Sequence, residues 1–184
     1  SEGIVCLSGC LSSEFSRSLI GVGPGQEEQL AKAHEIAGWF RHVFGEKYFI
    51  EVQSNGLDIQ KQVTEAALGV SETLGIPAVA TCDCHYINRE DSEAQDILLC
   101  VNTGRFRNDT SRMRMESSEF YLKSPEEVLE SMGGRSDLLE RSQQIADSVS
   151  LELDLGKRHF PGFEVPAGRT ASEEPELLCL VGLC

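Results

Sequence analysis

The chain has 184 residues, and its 30 acidic residues against 16 Lys and Arg give a formal net charge of −14. This charge repels a phosphate backbone, so bulk electrostatics argue against nucleic-acid binding by the chain itself. An apolar fraction of 40% and a charged fraction of 25% are typical of a globular protein, with room for one domain or slightly more.

The distribution of cysteines and of apolar residues bears on the compartment. The seven cysteines are scattered without the spacing of a disulfide framework, which favours the reducing cytoplasm. There is no apolar run of transmembrane length and no signal peptide, so we expect a cytoplasmic protein with no membrane partner. The apolar segment 3–8 has no preceding strand to pair with, and the apolar segment 177–184 is not followed by a closing element. We therefore expect this sequence to be a piece of a longer polypeptide.

The first half of the chain alternates short apolar segments with segments of helical periodicity. Strands are predicted at 3–8, 48–53 and 76–81, and helices at about 11–20, 26–44 and 59–74. The apolar run 76–80 is predicted to be a strand buried on both faces. This alternation predicts an α/β fold in which crossover connections build a parallel sheet.

The second half reads as helices and extended connections. Helices are predicted at 90–103, from 124 and at 135–148, and Ser124, Pro125 and Glu127 form a capping box. The Arg-rich segment 104–116 is interpreted as a solvated loop, with anion binding as the alternative. We expect a first domain over 1–150, followed over 151–184 by a linker and the start of a further element.

Candidate ligands follow the third predicted strand. The carboxyl ends of parallel strands meet at one edge of a sheet, so the loops 8–10, 54–56 and 82–86 are expected to lie together. Asp83 and His85 are two positions apart and are of the residue types that bind Zn²⁺ or Mn²⁺. The alternative is a turn in which Asp83 caps the backbone and His85 is a surface residue.

The cysteines near His85 and the glutamate at position 51 are further candidates for chemistry. A structural zinc site using Cys82, Cys84 and His85 lacks the paired spacing of zinc fingers. A Cys–His nucleophile pair that uses Cys82 or Cys84 has no evident orienting group or oxyanion loop. Glu51, inside the second predicted strand, is either a buried acid or, as is commoner, an outward-facing residue on an edge strand.

Several segments together carry a family resemblance, which covers nearly all of the chain. In order they are GIVCLSGCLSSEFSR, YFIEVQSNGLDIQKQV, LGIPAVATCDCHYINREDSEAQDILLCVNTG, SSEFYLKSPEEV and FPGFEVPAG. This order resembles the PHP domain of the bacterial replicative DNA polymerase III alpha subunit. The resemblance implies a distorted barrel of parallel strands and helices, of which 1–150 is the C-terminal part, with 151–184 running toward the polymerase core.

The resemblance also implies a metal site. Asp83 and His85 match two ligands of the PHP metal cluster, which holds Zn or Mn, whereas Asn55 stands where the family usually has His. Asn is a weak ligand for these metals, so a partial, degraded site and reduced phosphoesterase or 3′–5′ exonuclease activity are implied. No catalytic residue is assigned in this chain, which is expected to be inactive alone, because the other PHP ligands and the polymerase aspartates lie outside it.

The implied parent is a DNA-directed DNA polymerase, a nucleotidyltransferase that uses Mg²⁺ in bacterial chromosomal DNA replication. Its implied partners are the proofreading exonuclease subunit, which docks on the PHP domain, the sliding clamp, and DNA bound through other parts of the parent. Two alternatives stay open: a stand-alone PHP-type metal-dependent phosphoesterase, and a metal-free interaction scaffold.

Overall fold

The computed structural model describes residues 3–23 and 25–157. One compact unit ends at Ser148 and a second begins at Val149. Residues 149–157, the described part of the second unit, contain turns but no helix or strand. Most of the linker and further element predicted over 151–184 lies outside the described residues.

Three parallel strands form the sheet of the first unit. They are β1 (Cys6–Leu7), β2 (Tyr48–Gln53) and β3 (Ala78–Thr81), in the order β1-β2-β3. The register pairs Cys6 with Tyr48 and Gln53 with Thr81. The predicted α/β fold with parallel strands is confirmed, and the PHP barrel stays a prediction because the described residues contain only this three-stranded sheet.

Three helices connect and flank these strands, with local signals at their ends. They are α1 (Glu14–Leu19), α2 (Glu27–Phe44) and α3 (Asp58–Leu74). Ser13 caps α1, since its Oγ accepts a hydrogen bond from the Ser16 N–H at 3.1 Å. Gly75, with φ of +62°, ends α3 in a left-handed conformation that glycine adopts without steric cost.

The helices of the second half follow the sequence signals closely. They are α4 (Ser92–Thr103), α5 (Pro125–Ser131) and α6 (Ser136–Asp147). The capping box of α5 is confirmed: the Glu127 N–H donates to Ser124 Oγ at 3.3 Å, and the Ser124 N–H donates to Glu127 Oε2 at 2.8 Å. None of the helices in the described part of the chain is long and apolar enough to cross a lipid bilayer.

The core surrounds the sheet: α1, α2 and α3 supply most of its helical residues, and α5 and α6 add Val128 and Leu138. Tyr48 is fully buried in β2, and its ring stacks on Phe40 of α2 with centroids 5.4 Å apart. Val79 and Ala80, adjacent in β3 and therefore facing opposite ways, are both buried, as predicted for a strand covered on both faces. On that strand the Ser142 hydroxyl of α6 donates to the Ala80 carbonyl at 2.5 Å.

The apolar face predicted for α4 is not in the core. Leu98 is 51% exposed and Val101 is 71% exposed. Periodicity identifies which side of a helix is apolar, but the covering element has to come from elsewhere in the fold. Within the described residues, no element buries this face.

Two buried tyrosines provide a matched test of the packing. The Tyr48 hydroxyl has no hydrogen-bond partner among the described residues, whereas the Tyr121 hydroxyl donates to Glu127 at 2.5 Å and accepts from Arg89 at 2.9 Å. Removing an unsatisfied buried hydroxyl is nearly neutral or stabilising, whereas removing a bonded one loses the net value of its hydrogen bonds, because water can rehydrate the exposed partners Arg89 and Glu127. We expect Tyr48→Phe to leave the free energy of unfolding unchanged or slightly higher, and Tyr121→Phe to lower it by about 0.5–1.5 kcal/mol.

Urea unfolding followed by circular dichroism measures both changes. The two substitutions remove the same atom, so each is the control for the other. Equal losses of stability at the two positions would contradict the hydrogen-bond assignment.

Candidate functional site

The candidate site lies at the carboxyl edge, which we define as the edge of the sheet formed by the loops 8–10, 54–56 and 82–86. Because the three strands are parallel, their carboxyl ends point to this same edge. The first two strand ends are also tied directly, since the Glu51 N–H donates to Ser8 Oγ at 2.8 Å. The predicted meeting of these loops at one edge agrees with the sheet topology.

The Glu51 carboxylate is the polar centre of this edge. Its Oε2 accepts from the Gly9 N–H at 3.0 Å. Its Oε1 accepts from Thr81 Oγ1 at 2.5 Å and from Gln53 Nε2 at 2.9 Å. These donors come from the ends of all three strands, so one carboxylate links the whole edge.

This role of Glu51 is not predicted from the sequence, where an outward-facing Glu on an edge strand is the commoner case. The structure corrects this interpretation, because β2 is the central strand and has neighbours on both sides. One signal in the sequence could have indicated this role: Glu51 is a charged residue inside the second of three predicted strands. This signal is not decisive, because the second strand in sequence need not be the central strand of the sheet.

Asp83 and His85 lie next to each other. Asp83 Oδ1 is 4.0 Å from His85 Nδ1, and the two side chains are 29% and 38% exposed. His85 Nδ1 is 2.7 Å from the Asp83 carbonyl oxygen, and Asp83 itself has a left-handed φ of +48°. A hydrogen bond from Nδ1–H to that carbonyl leaves Nε2 with the lone pair that a metal requires. Their role as ligands stays a prediction.

Residues 117–123, which we call the bridging segment, run alongside the loop that carries His85 and hydrogen-bond to it. The His85 N–H donates to the Phe120 carbonyl at 2.8 Å, and the Leu122 N–H donates to the Ile87 carbonyl at 3.2 Å. The Phe120 ring meets the His85 imidazole edge-on at 5.5 Å. The imidazole is therefore oriented by contacts far away in sequence.

The bridging segment also contacts the loop after β2. Asn55 is fully buried; its N–H donates to Gln60 Oε1 at 2.7 Å, and its Oδ1 accepts from Lys123 Nζ at 3.3 Å. Gly56 has φ of +76°, and a Cβ there would lie 3.0 Å from Ser117 Oγ, so a side chain would strain the backbone and require Ser117 to move. The amide oxygen of Asn55 is thus already engaged by a cation of the protein.

The described residues do not form a complete metal centre. No group of three or more His, Cys, Asp and Glu side chains is positioned to hold one ion in the part of the chain that the structure describes. Asp83 and His85 supply two ligands, fewer than a divalent ion needs. A metal would therefore have to take further ligands from outside the described residues.

The cysteine alternatives receive no support from the geometry. The Cys84 thiol donates to the Tyr121 carbonyl at 3.6 Å, which turns it toward the bridging segment. Burial, and after it the neighbouring Cys82, raises the pKa of the Cys84 thiol, while Lys123 acts in the opposite direction. A raised pKa disfavours the thiolate that both zinc binding and nucleophilic attack require.

The Arg-rich segment 104–116 is bound to α4 rather than simply solvated. Arg112, whose side chain is only 4% exposed, forms a two-pronged pair with Asp96 at 2.5 and 2.7 Å. The hydrogen bond from Arg112 lowers the pKa of the Asp96 carboxyl. Arg107 pairs with Glu93 at 2.7 Å. These arginines are neutralised within the protein, which leaves the anion-binding alternative without support at them.

The role of Glu51 can be tested by replacing it with its amide. In Glu51→Gln one acceptor oxygen becomes an NH₂ donor, which then faces either the Gly9 N–H or the NH₂ group of Gln53. We expect the free energy of unfolding to fall by about 1–3 kcal/mol, measured by urea unfolding. Glu65→Gln, at an exposed position of α3, is the control and should change stability little. Equal effects at the two positions would contradict the linking role.

Comparison with known proteins gives a consistent set of relatives. No model of a known protein family matches the chain. It is 35% identical to a DNA polymerase III subunit alpha of Borreliella burgdorferi over 189 aligned residues, and 36% identical to that of Treponema pallidum over 166. The Deinococcus radiodurans protein of the same name is 34% identical over 179 residues. These matches cover 100%, 90% and 94% of the chain, but only 16%, 14% and 13% of the relatives.

Proposed function

This chain belongs to the DNA polymerase III alpha subunit family, whose members it matches over one region, and we propose that the protein containing it is the DNA-polymerising subunit of a bacterial replicase. The observation that carries this proposal is the similarity over 90–100% of the chain to relatives of one name from three bacteria. Polymerisation would use Mg²⁺ and aspartates from the much larger part of the protein that lies outside this chain.

Within that protein we assign the present region to a PHP-type module. The parallel strands, the crossover helices and the polar carboxyl edge support this assignment. The net charge of −14 favours contacts with proteins over contacts with DNA. We therefore propose a structural role in the cytoplasmic replicase, with docking of the proofreading exonuclease subunit on this module and contact with the sliding clamp and DNA through other parts of the protein.

Asp83 and His85 are the proposed remnant of a metal site in this module. Their residue types suit Zn²⁺ or Mn²⁺, and the hydrogen bond of His85 Nδ1 supports the form of the ring that binds metals through Nε2. A divalent ion would supply Lewis-acid chemistry on a phosphate ester. The described residues contribute by orienting the imidazole through Asp83 and Phe120, and further ligands have to come from outside them.

The polymerase proposal is tested by primer extension with the full-length protein. With Mg²⁺ and deoxynucleotides, we expect it to extend a primed template. Asp83→Ala should retain this extension, because polymerisation uses residues outside this chain. If the protein fails to extend primers but hydrolyses p-nitrophenyl phosphate, it is a stand-alone phosphoesterase and the polymerase proposal is wrong.

The metal proposal is tested by metal analysis of the same full-length protein. We expect Asp83→Ala and His85→Ala each to weaken binding of Zn²⁺ or Mn²⁺ by at least about tenfold, because each removes a ligand. His42→Ala, at an exposed position of α2, is the control and should leave the metal content unchanged. Equal metal content in all three variants would remove the ligand assignment and favour a metal-free scaffold.

A further inference from the structure

We propose that the Lys123 ammonium is a built-in cation that occupies the place at Asn55 and closes this position to a divalent metal ion. This inference rests on the proposed PHP-type function, in which Asn55 stands where the family usually has a histidine ligand. It goes beyond that function by assigning a role to Lys123: its ammonium takes the place of a metal ion at the loop 54–56.

The surroundings of Lys123 are those of a cation site. Its Nζ donates to Asn55 Oδ1 at 3.3 Å and to the Glu119 carbonyl oxygen. It also lies 4.7 Å from the centroid of the Tyr121 ring, within the range of a cation–π contact. An amide oxygen, a carbonyl oxygen and an aromatic face thus converge on one positive charge, and oxygen ligands are also what hard metal ions select.

No carboxylate of the described residues lies within ion-pair distance of the Lys123 ammonium. In the described part of the chain Lys123 has no ion pair, and the nearby Glu119 carboxylate is paired with Arg89 at 3.1 Å. The ammonium is therefore stabilised by neutral oxygen atoms rather than by an acid. Its charge remains available to oppose a second cation at the same place.

The orientation of Asn55 agrees with this role. The residue is fully buried, its Oδ1 faces the ammonium, and its Nδ2 has no partner among the described residues. A flipped amide would instead point NH₂ donors at the Lys123 donors, which is unfavourable. The side chain is thus held by its oxygen, the atom that a metal would otherwise use.

A metal ion at this place would have to displace Lys123 or accept a like charge close by. Coulomb repulsion between a monovalent and a divalent cation at a few ångströms is large in a partly buried site. Restoring a histidine at position 55 is therefore insufficient to restore metal binding. The ammonium has to be removed as well.

The experiment measures Zn²⁺ affinity by calorimetry on the metal-stripped full-length protein. The variants are Asn55→His alone, Asn55→His with Lys123→Met, and Asn55→His with Lys61→Met. Lys61 is exposed on α3 and pairs with Asp58 at 3.4 Å, so its loss controls for removal of a lysine. We expect only the variant that lacks Lys123 to bind Zn²⁺ more tightly than Asn55→His alone, by at least about tenfold, or 1.4 kcal/mol. Equal affinities with and without Lys123 would overturn the proposal.

A second substitution guards against a folding defect. Lys123→Gln keeps a hydrogen-bond donor for the Glu119 carbonyl but carries no charge. Combined with Asn55→His, it should show the same gain in affinity, and added Zn²⁺ should raise the melting temperature of this double variant. No gain in this variant would also overturn the proposal. Adding Asp83→Ala should abolish the gain, and its persistence would mean that the ion binds elsewhere.

The result is separable from the test of the polymerase function. Failure to extend primers would refute that function without altering the measured Zn²⁺ affinities. Equal affinities would refute the role of Lys123 and leave primer extension unaffected.

Discussion

The hydrogen bonding of one carboxylate determines the geometry of the carboxyl edge. Glu51 lies on the central strand and accepts from groups at the ends of all three parallel strands. Parallel pairing aligns β2 and β3 up to their last residues, Gln53 and Thr81. The Glu51 carboxylate adds side-chain hydrogen bonds across the ends of all three strands, and bonds to a carboxylate are stronger than neutral ones. The loops of the carboxyl edge therefore begin from strand ends that are connected through Glu51.

The bridging segment is the second organising feature, because it contacts two of the three loops. Its backbone pairs with the residues around His85, and its Lys123 side chain reaches Asn55. Gly56 allows the close approach that this arrangement requires. The orientation of the proposed ligand His85 and the charge at Asn55 therefore depend on one stretch of chain, so a change in that stretch would alter both together.

The chemistry of this edge is consistent with a region that works as part of a larger protein. Asp83 and His85 are adjacent and accessible, but the described residues do not supply a third ligand. The uncovered apolar face of α4, with Leu98 and Val101, is likewise incomplete within the described residues. The chain spans about one seventh of the length of the curated relatives that it matches. An incomplete centre and an uncovered face are both expected when much of the polypeptide lies elsewhere.

The sequence by itself determined the elements and the fold class. The strand 48–53 was predicted with its observed bounds, and the helix ends at Gly45, Gly75 and Ser124 were all signalled by local residue types. These features depend on periodicity and on caps, which involve residues within a few positions of one another. Alternation of strands and helices then implied parallel pairing, because crossover connections permit little else.

Only the tertiary structure decided which side chains meet. Glu51 and Gly9 are 42 positions apart, and Asn55 and Lys123 are 68 positions apart. It also showed that Arg112 is bound to Asp96 and that the apolar face of α4 is uncovered. Such contacts depend on how whole elements pack in space, whereas a local pattern records only which face of an element is apolar. The physical reason is that two distant side chains interact only after folding has brought them together, so the sequence around one of them does not identify the other.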